Sequence, residues 1–384
     1  MSGIFGTFCN SIHTQDKNKK KLILWNNAYG RDAKQIFEKN NIQIGCCLQM
    51  LATHTTTSPI LHMNSMYAAI DLLLYNREEL IIKCNAPTSI SDEELLLSYL
   101  TQFGMSALKD VNGDFSGVIY DENAQTLTLF RDHMGIRPLY YYADNSFMAF
   151  STDIRGLLGL DGVDSSLNED WIYRTLSGYF VDSVTSTEYQ NIFCVSPASY
   201  ITFSIKNEKI SQEIHSYWQL GKKKIHYTSF ELYKAKLKEL VTDSIQRRLQ
   251  AIPGKAGAEL SGGLDSGVIG ILIHRLGRDC VYFSWSVDPN EIPYADHDER
   301  LIIKDICKQE HIQCHYSQMK SDRSMNSLLA RQMQSLGFSL DENEPPALRY
   351  AMPPYINAMA LCDSCSCMHE NGASVIFTGH GGDE

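Results

Sequence analysis

Two glycine-rich segments carry the residues of this sequence that are best suited to chemistry. The first is Ser261-Gly262-Gly263-Leu264-Asp265-Ser266, which lies between a short apolar run and a helical pattern. Glycines let the backbone approach a ligand closely, and the free N–H groups at the start of a helix attract anions. Serine hydroxyls can donate to phosphate oxygens, whereas a carboxylate beside a phosphate requires a cation between them. The segment therefore predicts a phosphate cradle with Mg²⁺ at Asp265.

The second segment is Thr378-Gly379-His380-Gly381-Gly382-Asp383-Glu384, which follows an apolar run at 375–377. Its glycines again permit close backbone approach, and Asp383 supplies a second carboxylate for Mg²⁺. Each segment comes directly after a predicted strand. Loops at the carboxyl ends of strands form the ligand crevice of open α/β sheets, so we expect the two segments to meet.

Length and composition restrict the class of protein. The chain has 384 residues, enough for two domains, with 43% hydrophobic and 21% charged residues. A formal net charge of −11 disfavours a nucleic-acid partner. No apolar run is long enough to span a bilayer, and the N-terminus lacks the pattern of a signal peptide. We therefore expect a cytoplasmic protein with no membrane partner.

Residues 1–215 show the pattern of an α+β domain. Apolar runs at 118–120 and 127–130 flank a turn, as do those at 140–142 and 147–150, and each pair predicts a hairpin. Apolar residues at helical spacing over 93–103 predict a helix behind Ser91 and Asp92. Hairpins mixed with helices indicate a layered domain.

The pattern changes after a polar linker predicted at 216–228. A long helix is predicted over 230–249, and then strands at 257–260, 281–284 and 374–378 alternate with helices at 267–275 and 298–309. Alternation of this kind favours a parallel sheet with right-handed crossovers. We therefore predict a second, α/β domain over 229–384.

The two glycine-rich segments resemble the pyrophosphate loop and the Gly-x-Gly-x-Asp-Glu loop of the asparagine synthetase family. The resemblance extends over most of the chain. It includes the segment Arg131-Asp132-His133-Met134-Gly135-Ile136-Arg137-Pro138-Leu139-Tyr140-Tyr141, the strand Phe150-Ser151-Thr152-Asp153-Ile154, and the pairs Tyr217-Trp218 and Asp298-Glu299.

This resemblance implies two folds. The first domain is expected to be an N-terminal-nucleophile (Ntn) hydrolase-like αββα glutamine amidotransferase domain. The second is expected to be an ATP-pyrophosphatase domain, of the PP-loop, Rossmann-like, adenine nucleotide α-hydrolase-like type. The resemblance also implies the cofactors ATP and Mg²⁺. Adenine is expected to be held by backbone near Leu260 and Trp285, pyrophosphate along Ser261 to Ser266, and Mg²⁺ at Asp265 and Asp383, with Thr378 and Gly379 as further ATP-binding residues.

The first domain departs from the family at the positions that handle glutamine. In the family a cysteine follows Met1 and acts as nucleophile, but here the position holds Ser2, whose hydroxyl needs a base to attack. The family's Asn-Gly-Glu is replaced by Asp71-Leu72-Leu73. Asp92 matches a family aspartate that holds glutamine, although it could equally be a helix cap. No arginine matches the one that grips the substrate carboxylate, and His54 and His62 are the nearest polar candidates. We therefore predict that glutamine hydrolysis is lost.

The resemblance implies an ATP-dependent ligase that adenylates a carboxylate and transfers the acyl group to an amine, with Asp265, Asp383 and His380 acting in catalysis. Without glutamine hydrolysis, the amine is ammonia or belongs to the substrate. Lasso-peptide cyclases and β-lactam synthetases of the family use a substrate amine, and the cyclases often carry Gly-His-Gly-Gly-Asp. We therefore favour a peptide or small-molecule carboxylate substrate over true asparagine synthesis from aspartate, which stays an alternative.

The sequence stops at Glu384, where the family continues with a helical segment. We therefore expect a truncated chain, which is either a fragment of a longer protein or a split gene product that is completed by a separate C-terminal helical segment or works with precursor-peptide machinery. The remaining alternative is a non-catalytic nucleotide-binding or docking module.

Overall fold

The computed structural model describes residues 1–10, 20, 22–23, 25–27, 29–177, 184–222, 224–317, 365 and 367–381. The contacts divide the chain into two units, with a boundary between residues 222 and 223. The described residues that connect the last strand of the first unit to the first helix of the second form neither helix nor strand. The domain limits at 215 and 229 stay predictions.

The first unit contains two six-stranded antiparallel sheets, in the orders β10-β8-β9-β1-β3-β2 and β12-β11-β7-β6-β5-β4. The strands are β1 (Gly3–Cys9), β2 (Ala33–Lys39), β3 (Ile42–Leu48), β4 (Leu61–Met63), β5 (Met66–Leu74), β6 (Gly113–Asp121), β7 (Thr126–Arg131), β8 (Tyr140–Ala143), β9 (Phe147–Ser151), β10 (Ile192–Cys194), β11 (Ser199–Lys206) and β12 (Lys209–Ser216). Both predicted hairpins are confirmed, as β6–β7 and β8–β9.

Among its described residues, the first unit contains four α-helices with defined bounds. They are α1 (Arg77–Cys84), α2 (Asp92–Phe103), α3 (Arg155–Leu158) and α4 (Glu169–Leu176), with a 3₁₀ helix at Met105–Asp110. The predicted helix is α2, and its cap is Ser91, whose hydroxyl accepts from the backbone N–H of Glu94 in a capping box. Asp92 is therefore the first helical residue rather than the cap.

The layers are held by two apolar cores. Between the sheets, Ile4 and Phe150 of the first sheet pack in one cluster with Val118 and Phe203 of the second. On the outer face of the second sheet, α1 and α2 pack in another cluster that includes Leu96. Helical residues around Trp25, together with α3, lie against the first sheet, where the Trp25 ring is 4.5 Å from the Arg155 guanidinium. The αββα layering expected of an Ntn-type domain is confirmed.

The second unit contains a parallel sheet in the order β15-β14-β13-β16. Its elements are α5 (Phe230–Ala251), β13 (Lys255–Glu259), α6 (Leu264–Arg275), β14 (Cys280–Val287), α7 (Glu299–Glu310), β15 (Cys314–Ser317) and β16 (Ala373–Phe377). The predicted alternation of strands and helices is confirmed. The helix predicted to begin at 267 begins three residues earlier, inside the glycine-rich segment, and β14 extends beyond its predicted end at 284.

The strand order places β13 and β16 at the centre of the ligand-binding edge. The chain adds β14 and β15 on one side of β13 and then crosses to add β16 on the other side. A crevice opens at the carboxyl ends of such a pair because their connections leave in opposite directions. The α/β fold of the Rossmann-like type is confirmed. Within the described residues, no helix is both long and apolar enough to cross a membrane.

Candidate functional site

The two glycine-rich loops leave the sheet side by side. One follows β13 and the other follows β16, and these strands are paired in parallel through Ala258 and Phe377. Both loops therefore open on the same edge of the sheet, in the crevice at the switch of strand order. The structure thus brings together the two segments that the sequence singled out, as far as residue 381.

Two serines fix the first loop. The backbone N–H of Ser261 donates to Ser266 Oγ at 3.1 Å, and the two hydroxyl oxygens are 2.8 Å apart. The Gly263 N–H donates to Ser261 Oγ at 3.2 Å. These bonds close the loop on itself before any ligand arrives, so the loop is preorganised for binding.

The start of α6 fits an anion. Gly263 is the N-cap of this 12-residue helix and has no side chain to accept from the first turn, so the N–H groups of that turn have no partner within the helix. Gly262 has a φ of +87°, and a Cβ there would lie 2.7 Å from the carbonyl oxygen of Glu299. Only glycine satisfies both restrictions. Leu264, the first residue of α6, is exposed.

The second loop lies directly against the first. A Cβ on Gly379 would lie 2.7 Å from the Ser266 backbone nitrogen and 3.1 Å from its Cα. Glycine is therefore required for the β16 loop to reach the start of α6. Thr378 is the single residue between the end of β16 and Gly379. The close approach is the geometry that a shared phosphate site needs.

The residues predicted near adenine lie at the ends of adjacent strands. Leu260 follows β13, is fully buried, and uses its N–H to donate to the Phe283 carbonyl at 2.8 Å. Trp285 lies on β14 and is half-exposed. A ligand could therefore reach the Trp285 ring but not the Leu260 side chain. The assignment of adenine to these residues stays a prediction.

The loop after β14 is held by one arginine. The Arg300 guanidinium pairs with Asp298, Nε to Oδ1 at 2.9 Å, and donates to the carbonyls of Val287 and Ile292 at 2.8 and 2.9 Å. Asp298 also caps α7, and its pKa is lowered by the hydrogen bond from Arg300. The Asp298-Glu299 pair noted in the sequence thus lies at the start of α7. It anchors the helix start against which Gly262 packs.

The predicted magnesium site is described in part. Asp265 lies in the first turn of α6, at the end of the helix where phosphate binding is predicted. Asp383 lies outside the described residues, together with Gly382 and Glu384. Free helix N–H groups and a loop that admits only glycine fit a polyphosphate, and the Asp265 carboxylate fits its Mg²⁺. Pairing of Asp265 with Asp383 through a metal stays a prediction. Among the described residues, no three histidine, cysteine or acidic side chains cluster closely enough to hold a metal ion.

Sequence reasoning missed Glu259, the last residue of β13. Its carboxylate is buried, with Oε2 3.7 Å from Nδ1 of His380 in the second loop. Burial raises the pKa of the Glu259 carboxyl, and the charge of His380 opposes that shift. The signal was present in the sequence, because an acidic residue ends a strand in which the three preceding residues are small and apolar.

In the first unit, Ser2 is surrounded by charged groups. Its backbone N–H donates to Asp71 Oδ1 at 2.7 Å, and its hydroxyl accepts from the Gln49 N–H at 3.1 Å. The other oxygen of Asp71 lies 3.4 Å from Nε of Arg137. Both side chains of this ion pair are largely buried. In the sequence analysis Arg137 was only one residue of the segment that resembles the family, and its pairing with Asp71 was not predicted.

The other positions linked to glutamine have structural partners. Asp92 forms a buried ion pair with Arg77, so its carboxylate joins α2 to the start of α1. The neighbouring Glu93 is buried and accepts from the Thr56 N–H at 2.8 Å, and burial raises its pKa to about 8. His62 stacks on a tyrosine ring at 4.4 Å. A glutamine-holding role for Asp92 stays a prediction.

Family models match almost the whole chain. Residues 1–218 match the glutamine amidotransferase domain, and residues 236–384 match asparagine synthase. The order of the two domains is the order that the sequence resemblance implied.

Curated relatives match at low identity. A Methanocaldococcus jannaschii protein, provisionally named asparagine synthetase (glutamine-hydrolysing) 2, is 27% identical over 81% of this chain and 56% of its own length. The amidases chry2 of Gibberella zeae and chyE of Penicillium rubens are 26% and 25% identical, over 77% and 84% of this chain and 42% and 47% of their own lengths. The chain thus spans about half the length of the curated relatives it matches.

Among solved structures, the glutamine phosphoribosylpyrophosphate amidotransferase of Bacillus subtilis aligns over 92% of this chain and 97% of its own, at 11% identity. Its TM-score of 0.39 is too low to support an inference about this protein.

Proposed function

We propose that this chain, which belongs to the asparagine synthetase family, is the nucleotide-binding part of an ATP-dependent ligase that adenylates a carboxylate and transfers the acyl group to an amine. The observation that carries the proposal is the contact of Gly379 with the Ser266 backbone. This contact brings two glycine loops to one crevice, beside a helix start whose first N–H groups have no partner within the helix. A polyphosphate is the ligand whose size and charge match that arrangement.

The residues have distinct roles in this proposal. The loop from Ser261 to Ser266 binds the β- and γ-phosphates, which leave as pyrophosphate when the substrate carboxylate attacks the α-phosphorus. The N–H groups at the start of α6 stabilise the negative charge that develops on that leaving group. Asp265 and Asp383 hold Mg²⁺, which when bound neutralises part of the same charge. The amine then attacks the acyl carbon and displaces AMP.

We further propose that the first unit does not hydrolyse glutamine. The Asp71 carboxylate accepts from the Ser2 N–H, so a negative charge lies beside the residue at which a hydrolase would form an oxyanion. A fixed negative charge there raises the energy of that oxyanion. The Ser2 hydroxyl also accepts a hydrogen bond from the Gln49 N–H.

The identity of the substrates is the finer part of the proposal. The two fungal relatives are named amidases and not asparagine synthetases, which supports a substrate other than aspartate for this chain. We favour a peptide or small-molecule carboxylate joined to a substrate amine, as in lasso-peptide cyclases. The relatives named asparagine synthetases favour the second candidate, asparagine formation from aspartate.

Isotope exchange between pyrophosphate and ATP tests the proposal. The full chain is incubated with Mg²⁺, ATP and labelled pyrophosphate, with aspartate, other amino acids or short peptides as the carboxylate. We expect exchange with at least one carboxylate, and we expect Asp265→Ala to abolish it without altering the unfolding temperature. Exchange that persists in Asp265→Ala contradicts the site, and absence of exchange with every carboxylate favours a non-catalytic nucleotide-binding or docking module.

A further inference from the structure

A histidine and a buried carboxylate face each other across the crevice. Glu259 ends β13 and His380 lies three residues beyond β16, with 3.7 Å between Oε2 of the first and Nδ1 of the second. The Glu259 side chain is 7% exposed, whereas the His380 side chain is 57% exposed. One partner is therefore fixed in the sheet and the other is open to an arriving molecule.

Burial of the Glu259 carboxylate costs folding free energy. Its partner on β14 in the sheet register is Phe283, which is almost completely buried. A carboxylate among such neighbours loses its hydration, and burial raises its pKa. Among the described residues, His380 is the one charged group that opposes this shift. An apolar residue at 259 would stabilise the strand more simply, so the carboxylate calls for a role beyond packing.

The backbone next to His380 is also fixed. Gly379 lies against the Ser266 nitrogen, so the histidine cannot move far from the start of α6. A phosphate bound at that helix end would therefore have the imidazole as a neighbour. The Nδ1 atom faces Glu259, which leaves Nε2, on the far side of the ring, directed away from the carboxylate.

We propose that Glu259 is a positioning residue, whose carboxylate pairs with Nδ1 of His380 across 3.7 Å and so presents Nε2 as the base for the attacking amine. This inference rests on the proposed function and extends it, since it defines the acceptor as an amine that arrives as its ammonium ion. A carboxylate that fixes the tautomer and orientation of a histidine base is a recurrent device in enzymes.

The proton and electron balance is simple. The Nε2 lone pair takes one proton from the ammonium, which frees the nitrogen lone pair. This nitrogen forms a C–N bond with the acyl carbon of the adenylate, and the C–O bond to AMP breaks with its electron pair on the phosphate oxygen. The amide nitrogen then releases a second proton to solvent, and the imidazolium, stabilised by Glu259, returns its proton to solvent after AMP leaves.

A titration that needs no substrate tests the pair itself. The full chain carries ¹³C-labelled glutamate carboxyls, and the Glu259 signal is assigned by its loss in Glu259→Gln and followed against pH without metal. Because the charge of His380 lowers the pKa of the Glu259 carboxyl, we expect His380→Gln to move that titration to higher pH. His215→Gln, at an exposed histidine of the first unit, is the matched control and should leave it in place. An unchanged Glu259 titration in His380→Gln overturns the proposal.

A second measurement separates a base from a merely structural pair. With a carboxylate that supports ATP–pyrophosphate exchange, product formation is compared for ammonium and for hydroxylamine, which is uncharged at neutral pH and needs no base. We expect His380→Gln to slow the reaction with ammonium by about 10²- to 10⁴-fold, the usual range for a general base. Glu259→Gln should slow it less, and both variants should lose far less activity with hydroxylamine.

Equal losses with the two nucleophiles overturn the positioning role even if exchange is normal. If the unaltered chain exchanges with no carboxylate, the proposed function fails, and the titration alone then decides whether Glu259 and His380 form the pair. The two proposals can therefore fail separately.

Discussion

Replacing Gly379 by alanine tests whether the two loops must touch for nucleotide to bind. The added Cβ would lie 2.7, 3.1 and 3.2 Å from the nitrogen, Cα and Cβ of Ser266. Non-bonded carbon atoms prefer separations of about 3.5–4.0 Å, so the loops must part by roughly 0.5–1 Å. The contact is with backbone, which cannot rotate away as a side chain would.

Overpacking of this kind costs about 1–3 kcal/mol. If the separated loops no longer bind phosphate together, this cost appears as weaker binding of MgATP, by a factor of roughly 5 to 150. Isothermal titration calorimetry on the full chain measures the change, and thermal unfolding shows whether the variant is folded.

Gly267→Ala is the matched control for this variant. Gly267 lies in α6, and its added Cβ would be 3.5 Å from the Ile306 side chain, which is an ordinary contact. Alanine is also favoured over glycine within a helix by up to about 1 kcal/mol. We expect this variant to bind MgATP as the unaltered chain does. If Gly379→Ala is folded and binds with unchanged affinity, the reasoning about the shared crevice is refuted.

Three further predictions concern stability, the loop after β14 and the first unit. Glu93→Gln should flatten the pH dependence of unfolding, because burial raises the pKa of this carboxyl from 4.5 to about 8. Between those values the folded protein holds a proton that the unfolded chain releases, so its stability falls with rising pH by up to about 1.4 kcal/mol per pH unit. Urea unfolding from pH 5 to 9 measures the slope of the unfolding free energy against pH. The control is Glu78→Gln, at an exposed glutamate, which should leave this slope unchanged. A slope in Glu93→Gln equal to that of the unaltered chain contradicts the account. Arg300→Met should speed amide hydrogen exchange over 287–298, since the guanidinium donates to carbonyls of that loop, and unchanged exchange there would disprove the anchoring role. The unaltered chain should release no glutamate from glutamine in a coupled glutamate dehydrogenase assay, and release that disappears in Ser2→Ala would overturn the loss of hydrolysis.

Local sequence patterns were sufficient for two hairpins and α2 in the first unit and for most elements of the second unit. Hairpins are predictable because strand alternation and the turn lie within about fifteen residues of each other. The same holds for α2, whose capping box from Ser91 to Glu94 is contained in four residues. The start of α6 was misplaced because glycine and aspartate in the phosphate loop weaken a helical pattern that tertiary contacts nevertheless stabilise.

Pairs that depend on strand order could not be found in the same way. Asp71 and Arg137 meet because β5 and the segment after β7 lie close in the folded unit, although they are 66 residues apart. Glu259 and His380 meet because β16 pairs with β13 across 121 residues. Sequence spacing alone carries no information about such pairs. The glycine segments were recognisable because their residue types are restricted locally by φ angle and close approach.

Binding of ATP to the full chain with and without Mg²⁺ is the most direct test of the nucleotide site. Calorimetric titrations are run with excess Mg²⁺, with EDTA in its place, and on Asp265→Asn with Mg²⁺. We predict heat of association only for the unaltered chain with Mg²⁺. Equal ATP affinity in EDTA, or no association in any condition, would contradict a metal-bridged triphosphate between the two loops.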